Sequence, residues 1–429
     1  MKGAHRQGSQ KDSGNEPKSI NDGSEDATPA RPPRFPSFDG LRAIAALTVV
    51  AVHVGFVSGV TPRAEHGVGI YIARLEIGVA VFFLISGFLL YRPFVVAHLA
   101  GERAPRTGAF FIRRLLRIVP AYWLALFVTT SLLRVGADIG PGGWIAYASH
   151  YFFGQIYFAD QAFKGISAAW SLCVEMTFYA FVPVFAALLG ASRSRRSDHR
   201  ALRREVVGIV SLVALSVIWR FGVIAVVPVT SPYRHLAMIW LPAELDLFAL
   251  GMSLAVASAW YHHRGREPRV MATRWMPWIS WTLAAGCFWA VSQIGASVDP
   301  VYQVTSIEIA KQSLYGLFAF FLIAPAVFGP LRLGLIRRFL QAWPVMGVGL
   351  ISYGIYLWHQ TWVYELIDLR HLKLFTIAFW PFFGTVIAAT MATALVSYAA
   401  IERPILHFKN ALSWFSARRS GAPKDSVNQ

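Results

Sequence analysis

The stretch FDGLRAIAALTVVAVHV, residues 38–54, decides how this chain begins to fold. Within its apolar run, Arg42 and His53 stand eleven positions apart. In an α-helix that separation is three turns with about 20° left over, so both side chains project from one face, roughly 16 Å apart along the axis. An ionisable residue inside a membrane is costly and marks a functional site. The spacing predicts a cation at the membrane surface and a proton acceptor further in, on one path.

The composition indicates a polytopic membrane protein of the all-α class. Hydrophobic residues make up 55% of the 429 residues and charged residues only 15%, whereas soluble proteins carry about 25% charged residues. Several apolar runs reach the ~20 residues that cross a bilayer as a helix. The net charge of +17 comes from basic residues clustered between these runs. Membrane topology produces this pattern, so we expect a lipid bilayer as partner and no nucleic acid.

Hydropathy predicts about ten membrane-spanning helices. They lie near 41–59, 77–91, 118–135, 167–189, 206–228, 237–257, 275–294, 313–328, 346–366 and 375–400. The loops after spans two, four, six and eight hold 19 arginines, and the intervening loops hold only seven basic residues. The positive-inside rule therefore predicts that both termini are cytoplasmic. The longest outer loop, 136–166, is rich in aromatic residues and is expected at the outer membrane interface.

Three regions follow from this organisation. Residues 1–36 are polar and rich in Gly, Ser and Pro, which predicts a disordered cytoplasmic tail. Residues 37–406 form the membrane domain, and residues 407–429 form a short cytoplasmic C-terminal tail. Cys173 and Cys287 lie inside predicted spans, so we expect apolar packing rather than a disulfide or a metal site.

Three ionisable residues on different helices reach a similar depth. At 1.5 Å per residue, His53 lies roughly 18 Å from the inner end of its span and Glu175 roughly 12 Å from the outer end. In a ~30 Å core these are the same level, and His359 reaches it from span nine. Each side chain can simply satisfy a hydrogen bond between helices, but three together favour a proton-transfer site. Histidine suits general-base work, and a carboxylate can orient it.

A cluster of arginines stands at the predicted cytoplasmic mouth of the third span. In FFIRRLLRIVPAYW, Arg114 and Arg117 are three positions apart, beside Arg113 and near Arg42 at the mouth of span one. Ordinary arginines that set topology explain most basic loop residues. The tight spacing of Arg114 and Arg117 favours a phosphate site, because planar guanidinium donors suit a polyphosphate.

Six segments, taken in chain order, resemble the membrane acyltransferase-3 family of bacterial O-acyltransferases. The segments are FDGLRAIAALTVVAVHV, FFLISGFLL, FFIRRLLRIVPAYW, WSLCVEMTFYAFVP, ISYGIYLWH and SYAAIERPIL. They extend from Phe38 to about Leu406. The resemblance implies a bacterial plasma-membrane enzyme with no permanently bound cofactor. Its substrates would be an acyl-coenzyme A donor, acetyl-coenzyme A among them, and a hydroxyl of a polysaccharide, a glycolipid or a natural product such as a macrolide.

The resemblance also implies roles for single residues. His53 matches the intramembrane histidine of the family's Arg-x10-His motif, and Arg42 matches its arginine. Arg114 and Arg117 match an Arg-x-x-Arg motif linked to donor binding. Glu175 matches the acid of WSL-x-x-E. In the reaction that the resemblance implies, His53 takes the proton of the acceptor hydroxyl, and we expect Glu175 and His359 to position the imidazole or the acceptor. Span six departs from the family pattern, because Glu244-Leu245-Asp246 stands where relatives often show Arg-x-Asp.

A protein of another class remains open at this point. A proton-coupled transporter or flippase of a cell-envelope precursor would use His53, Glu175 and His359 as a proton relay. It would move its substrate without chemical change and without coenzyme A. The chain shows no inverted repeat of the kind that many transporters have.

Overall fold

The computed structural model describes residues 35–62, 67–135, 138–190, 198–265, 273, 275–294, 305–328 and 334–405. All of these residues belong to one compact unit. The described part is all-α, as expected, with helices joined by turns and by short 3₁₀ and π segments. All but the last two residues of the predicted tail 1–36 lie outside the described residues, as does the predicted tail 407–429.

Fifteen α-helices follow one another in the described part of the chain. They are α1 Ser37–Val57, α2 Val68–Ile72, α3 Gly78–Ala100, α4 Thr107–Phe127, α5 Gly143–Tyr151, α6 Trp170–Gly190, α7 Asp198–Val226, α8 Pro232–Ala237, α9 Leu241–His263, α10 Met276–Gln293, α11 Thr305–Val327, α12 Leu335–Leu340, α13 Trp343–Leu350, α14 Ser352–Leu369 and α15 Phe379–Ser397. A 3₁₀ turn, Leu75–Ile77, precedes α3, and π turns extend α4 and α15.

Eight helical stretches within the described residues are long and apolar enough to cross a membrane. They are Ser37–Val57, Val68–Ala100, Phe110–Leu132, Ser167–Gly190, His199–Val226, Pro232–His263, Ile307–Val327 and Phe379–Ile405. Helices α10 and α14 stand at the two further predicted positions, but they are more polar and are not among the eight. By length and composition, these helices agree with the multi-pass arrangement that hydropathy predicts.

Two predicted spans differ from the helices that form. The second stretch is longer than expected and ends where Gly101 adopts a left-handed conformation with φ 67°. Sequence reasoning ended this span before Arg92-Pro93, but the helix continues there, and Arg92 Nε donates a hydrogen bond to Ser258 Oγ at 3.2 Å. The ninth predicted span is interrupted at Ile351, between α13 and α14.

Helix α3 is central, because it packs against α1, α6, α9 and α11. Its crossing with α9 depends on two glycines. A Cβ at Gly87 would collide with the carbonyl oxygen of Phe248, and one at Gly251 would collide with the carbonyl oxygen of Leu84. Small residues at such a crossing let two membrane helices approach closely. This tight crossing, together with the packing of α14 on α1, fixes the helices that line the site described below.

Candidate active site

His53 and His359 face each other between α1 and α14. The Nε2 atom of His359 lies 3.3 Å from the Nδ1 atom of His53, and the ring centroids are 4.9 Å apart. His359 is fully buried, whereas His53 is only partly buried. The two histidines predicted at one depth are therefore brought into direct contact.

Backbone carbonyls determine where the protons of this pair lie when both rings are neutral. His359 Nδ1 is 2.7 Å from the carbonyl oxygen of Tyr356, and His53 Nδ1 is 2.8 Å from that of Val49. Because a carbonyl oxygen only accepts, both Nδ1 atoms carry hydrogen. His359 Nε2 is then an acceptor facing His53 Nδ1–H. The Nε2 atom of His53 is left without a proton, as a general base requires.

His53 lines a cavity of about 460 Å³, which we call the histidine cavity. Aromatic and charged side chains from many elements share its wall. Its polar lining comprises Arg74, Glu76, Arg220, His235, Glu244, Glu308, Lys311, Gln312 and Tyr315. Trp170, Phe163 and Phe56 add aromatic surface. The cavity therefore offers both hydrogen-bonding groups and flat apolar faces beside His53.

A second cavity, of about 90 Å³, contains the predicted arginines and is called the arginine cavity. Arg42, Arg114 and Arg117 all line it, together with Glu175 and Tyr179. Helices α1, α4 and α6 supply these side chains. The arrangement brings three guanidinium groups to one small space, which suits a ligand with several negative charges.

The charged groups of the arginine cavity differ in how they are engaged. Arg42 Nη1 pairs with Asp39 Oδ1 at 3.2 Å, one helical turn away. Neither Arg114 nor Arg117 makes a hydrogen bond or ion pair with another residue of the described chain. Their donors are thus available to a ligand.

Glu175 lies in the arginine cavity and not beside the histidines. Its Oε1 atom accepts hydrogen bonds from Ser86 Oγ at 2.5 Å and from Tyr179 OH at 2.8 Å. Glu175 was expected to position the imidazole of His53 or the acceptor; it does not hold the imidazole, because no hydrogen bond joins the two residues within the described chain. The carboxylate lies in the cavity that Arg42 lines, three turns of α1 from His53, so the common level expected from counting residues is wrong for Glu175.

Val79 and Tyr356 line both cavities and form the wall between them. Tyr356 OH donates to the carbonyl oxygen of Ala168 at 2.8 Å and lies 2.6 Å from Ser171 Oγ. Phe82 packs edge-on against the same ring, with centroids 5.9 Å apart. The tyrosine is held firmly, and it lies one turn before His359 on α14.

Sequence reasoning missed several residues of these cavities. Tyr356 stands in ISYGIYLWH, three positions before His359, and this helical spacing was the available signal. Ser86, in the segment FFLISGFLL, donates a hydrogen bond to Glu175. Glu244, where span six departs from the family pattern, lines the histidine cavity rather than the arginine cavity. Arg220 from α7 lies 3.8 Å from its carboxylate.

Nothing in the described chain favours a metal centre. No group of three or more His, Cys, Asp or Glu side chains that could hold a metal ion occurs among the described residues. Cys173 is buried and Cys287 partly buried, both as free thiols. The described polar groups of the two cavities are imidazole, guanidinium, ammonium, carboxylate, amide and hydroxyl groups.

Comparisons with known proteins bear directly on this site. The chain is 27% identical over 405 residues to BcsY of Komagataeibacter xylinus, named as a membrane-bound transacylase, covering 90% of this chain and 86% of BcsY. It is 26% identical over 385 residues to the peptidoglycan O-acetyltransferase OatA of Listeria monocytogenes, covering 86% of this chain and 55% of OatA. It is 25% identical over 354 residues to nodulation protein 10 of Rhizobium leguminosarum bv. viciae, covering 78% and 83%.

No solved structure matches the chain. The acyltransferase domain of the acyltransferase-3 family matches residues 35–402, which include every helix that lines the two cavities. The chain therefore belongs to the acyltransferase-3 family of membrane-bound acyltransferases.

Proposed function

We propose that this protein moves a short acyl group, such as acetyl, from cytoplasmic acyl-coenzyme A to a hydroxyl of a carbohydrate, a glycolipid or a glycosylated natural product. One observation carries the proposal. A cavity with three arginines and a cavity with a histidine base share a wall formed by Val79 and Tyr356. The first suits a polyanionic donor and the second suits a hydroxylated acceptor, so the two substrates meet at this wall.

The donor occupies the arginine cavity through its phosphates. Arg114 and Arg117 have donors free for this purpose, and Arg42 adds a third guanidinium. Arginine presents several N–H groups in a plane that matches phosphate oxygens. Glu175 accepts hydrogen bonds from Ser86 and Tyr179, and its negative charge limits the repulsion among the arginines while the donor is absent. The thioester arm then extends toward Tyr356.

His53 acts as the general base. Its Nε2 atom takes the proton of the acceptor hydroxyl as the hydroxyl oxygen attacks the thioester carbonyl carbon. The carbon–sulfur bond breaks, and the coenzyme A thiolate leaves as the ester forms. The proton held on His53 passes to the thiolate, so charge and atoms balance. His359 holds the imidazole through the contact between its Nε2 atom and His53 Nδ1.

The membrane arrangement of the proposal has ten spans, with α10 and α14 added to the eight most apolar stretches, and both termini in the cytoplasm. The loop arginines support this orientation through the positive-inside rule. It makes the arginine cavity accessible to cytoplasmic acyl-coenzyme A and places the acceptor on the opposite side. The relative OatA is named for acetylation of peptidoglycan, which supports an acceptor in the cell envelope of bacteria.

Vesicles of opposite orientation test the proposal. Inverted membrane vesicles are supplied with acetyl-coenzyme A labelled in the acetyl group, and base-labile label in envelope lipids and glycans is counted. We expect labelled ester in inverted vesicles and in right-side-out vesicles only after permeabilisation. His53→Ala abolishes the label, whereas Glu102→Gln, at an exposed position that lines neither cavity, leaves it unchanged. Label at the wild-type level with His53→Ala would overturn the role of the histidine.

A further inference from the structure

Three helices build a polar wall of the histidine cavity that the proposed chemistry does not use. Arg220 on α7, Glu244 on α9 and Gln312 on α11 all line this cavity. Gln312 Nε2 donates to Glu244 Oε2 at 3.3 Å and to Asp246 Oδ1 at 2.9 Å. The network connects the three helices on the same cavity as the histidine base.

One oxygen of Glu244 remains without a hydrogen-bond donor. The residue is only 6% exposed, so its carboxylate is largely removed from bulk solvent. The Arg220 guanidinium lies 3.8 Å from Oε1, beyond hydrogen-bond distance, and donates instead to the carbonyl oxygen of Ala243. A carboxylate oxygen that is largely removed from bulk solvent and has no hydrogen-bond donor carries a desolvation cost, which a ligand hydroxyl can offset.

Glu308 is the second open acceptor on this cavity. It is half-buried and makes no ion pair or hydrogen bond with any residue that the structure describes. The nearest cation along its helix is already engaged, because Lys311 Nζ lies 2.5 Å from Glu76 Oε1. The same Glu76 oxygen accepts a hydrogen bond from Tyr315 OH at 2.9 Å.

The cations of this cavity are committed to protein groups. Arg74 donates to the carbonyl oxygens of Val291 and Ile294, at 3.2 and 2.7 Å. Arg220 and Lys311 are engaged as described above. An anionic ligand would therefore meet two open carboxylates and, in the described lining, no arginine or lysine without a protein partner, whereas hydroxyl groups would find acceptors. Trp170 and Tyr315 add ring faces to the same lining.

We propose that Glu244 and Glu308 are the acceptor-binding residues and that they hold hydroxyl groups of an uncharged, polyhydroxylated ring. The inference rests on the proposed function, because it takes the acceptor to react at His53 in this cavity. One hydroxyl of the acceptor faces His53, and its neighbours donate to the two carboxylates. The carboxylates thereby select which hydroxyl is acylated and exclude rings that carry an acidic group there.

Kinetics on Glu244→Gln and Glu308→Gln in the full-length protein test the assignment. The acceptor probe is an extract of envelope lipids and glycans from the source cells, titrated at saturating labelled acetyl-coenzyme A. We expect the KM for the extract to rise about tenfold or more in each variant, as loss of a hydrogen bond to a charged group predicts. Affinity for coenzyme A stays within twofold, and Glu102→Gln matches the wild type.

Each outcome decides one point. The inference is overturned if the KM for the extract is unchanged in both variants, or if their affinity for coenzyme A falls as much as the KM for the extract rises. The proposed function stands in either case, as long as the wild type transfers the acyl group. A wild type that forms no ester with any extract overturns the proposed function itself. Glu308→Gln guards against misfolding, because Glu308 is unpaired in the described chain and its replacement leaves packing intact; matching apparent Tm values confirm this.

Competition identifies the class of ring. Methyl glycosides of glucose, galactose and mannose are compared with glucuronate, galacturonate and mannose 6-phosphate, all as soluble inhibitors of transfer to the extract. We expect inhibition by at least one neutral glycoside at concentrations where the acidic sugars have no effect. Inhibition by the acids to an equal degree, or by none of the six, overturns the assignment of an uncharged ring.

Discussion

His359 stands behind His53, with its Nε2 atom 3.3 Å from His53 Nδ1 and its own Nδ1 atom on the Tyr356 carbonyl oxygen. Each ring is thus held by a backbone carbonyl on its own helix, and the two helices meet through the pair. The orientation keeps His53 Nε2 free for the cavity. In the proposed reaction His359 is a positioning residue, because it acts on the acceptor only through His53.

The contact between His53 and His359 predicts that a change at His359 lowers kcat without changing the KM for the donor. His359→Ala should lower kcat about tenfold or more, because the His53 ring is no longer held in the productive orientation, and should leave the KM for acetyl-coenzyme A unchanged. His359→Asn, which keeps a polar group near His53, should recover part of kcat. Steady-state kinetics in detergent measure both effects. A rise in the donor KM with unchanged kcat would contradict the positioning role.

The arginine cavity predicts unequal effects of neighbouring arginines. Arg114→Ala and Arg117→Ala should each weaken binding of coenzyme A about tenfold to a hundredfold, since a hydrogen bond to a charged group contributes about 1.5–3 kcal/mol. Arg113→Ala is the matched control, because Arg113 is exposed and lines neither cavity. Isothermal titration of purified protein with coenzyme A measures the three. Equal weakening in all of them would indicate a general charge effect instead.

The wall between the cavities predicts a variant that loses acyl transfer but still binds coenzyme A. Val79→Phe should fill the space beside Tyr356 and stop the thioester arm from reaching His53, so acyl transfer falls at least tenfold. Coenzyme A affinity should stay within twofold, because the phosphates bind on the arginine side. Transfer and binding are measured on the same preparation. Normal transfer with Val79→Phe would place the path of the arm elsewhere.

The α3–α9 crossing predicts a matched pair of stability effects. Gly251→Val should lower the apparent Tm of the purified protein, because its branched side chain collides with the Leu84 backbone; overpacking of this kind costs about 1–3 kcal/mol. Gly286→Val on α10 is the control, since a Cβ there meets no atom within 4 Å. Thermal unfolding in detergent compares the two. Equal Tm values would show that α3 and α9 can move apart at this crossing without loss of stability.

His150 on α5 predicts a pH dependence outside the spanning helices. Burial lowers the pKa of His150 to about 4, and Lys164 adds to the effect. An unfolded segment binds this proton near pH 6.5. Stability of the segment is therefore fully present above about pH 6.5 and decreases as the pH falls toward 4.

Hydrogen exchange of residues 143–163, corrected for the intrinsic rate, should show less protection at pH 5 than at pH 7.5. His150→Gln should remove most of that difference, because glutamine does not titrate. Equal protection of the wild type at both pH values would mean that opening of this segment does not expose His150.

Much of the site was predictable from the sequence, because depth along a membrane helix follows from counting residues. His53 and His359 were expected at one level, and they meet. The rise of about 1.5 Å per residue, which gave these depths, does not say which neighbouring residue a side chain faces. Glu175 was expected at the same level, but its carboxylate faces Ser86 and Tyr179 in the cavity that Arg42 lines, three turns of α1 from His53. Counting residues from a predicted helix end misses this, because the packing of α6 against α3 sets where the side chain lies.

The polar wall of the histidine cavity could not be predicted from the sequence, for a different reason. Arg220, Glu244 and Gln312 are far apart in the chain and meet only through the packing of α7, α9 and α11. Each alone resembles an isolated polar residue in an apolar helix. The predicted end of the second span was wrong for a similar reason. Arg92 and Pro93 suggested that the helix ends there, but the helix continues to Ala100, and Arg92 contacts Ser258 on α9.

Helix α1 carries Arg42 into one cavity and His53 into the other. A continuous helix does not stretch, so the rise of about 16 Å between these two residues is a fixed length. In the proposed reaction α1 fixes the distance that the donor must span between the arginines, which bind its phosphates, and the base. A thioester whose sulfur lies too close to its charged groups cannot reach the base while its phosphates stay bound. The length of the donor's arm therefore selects substrates as strictly as charge does.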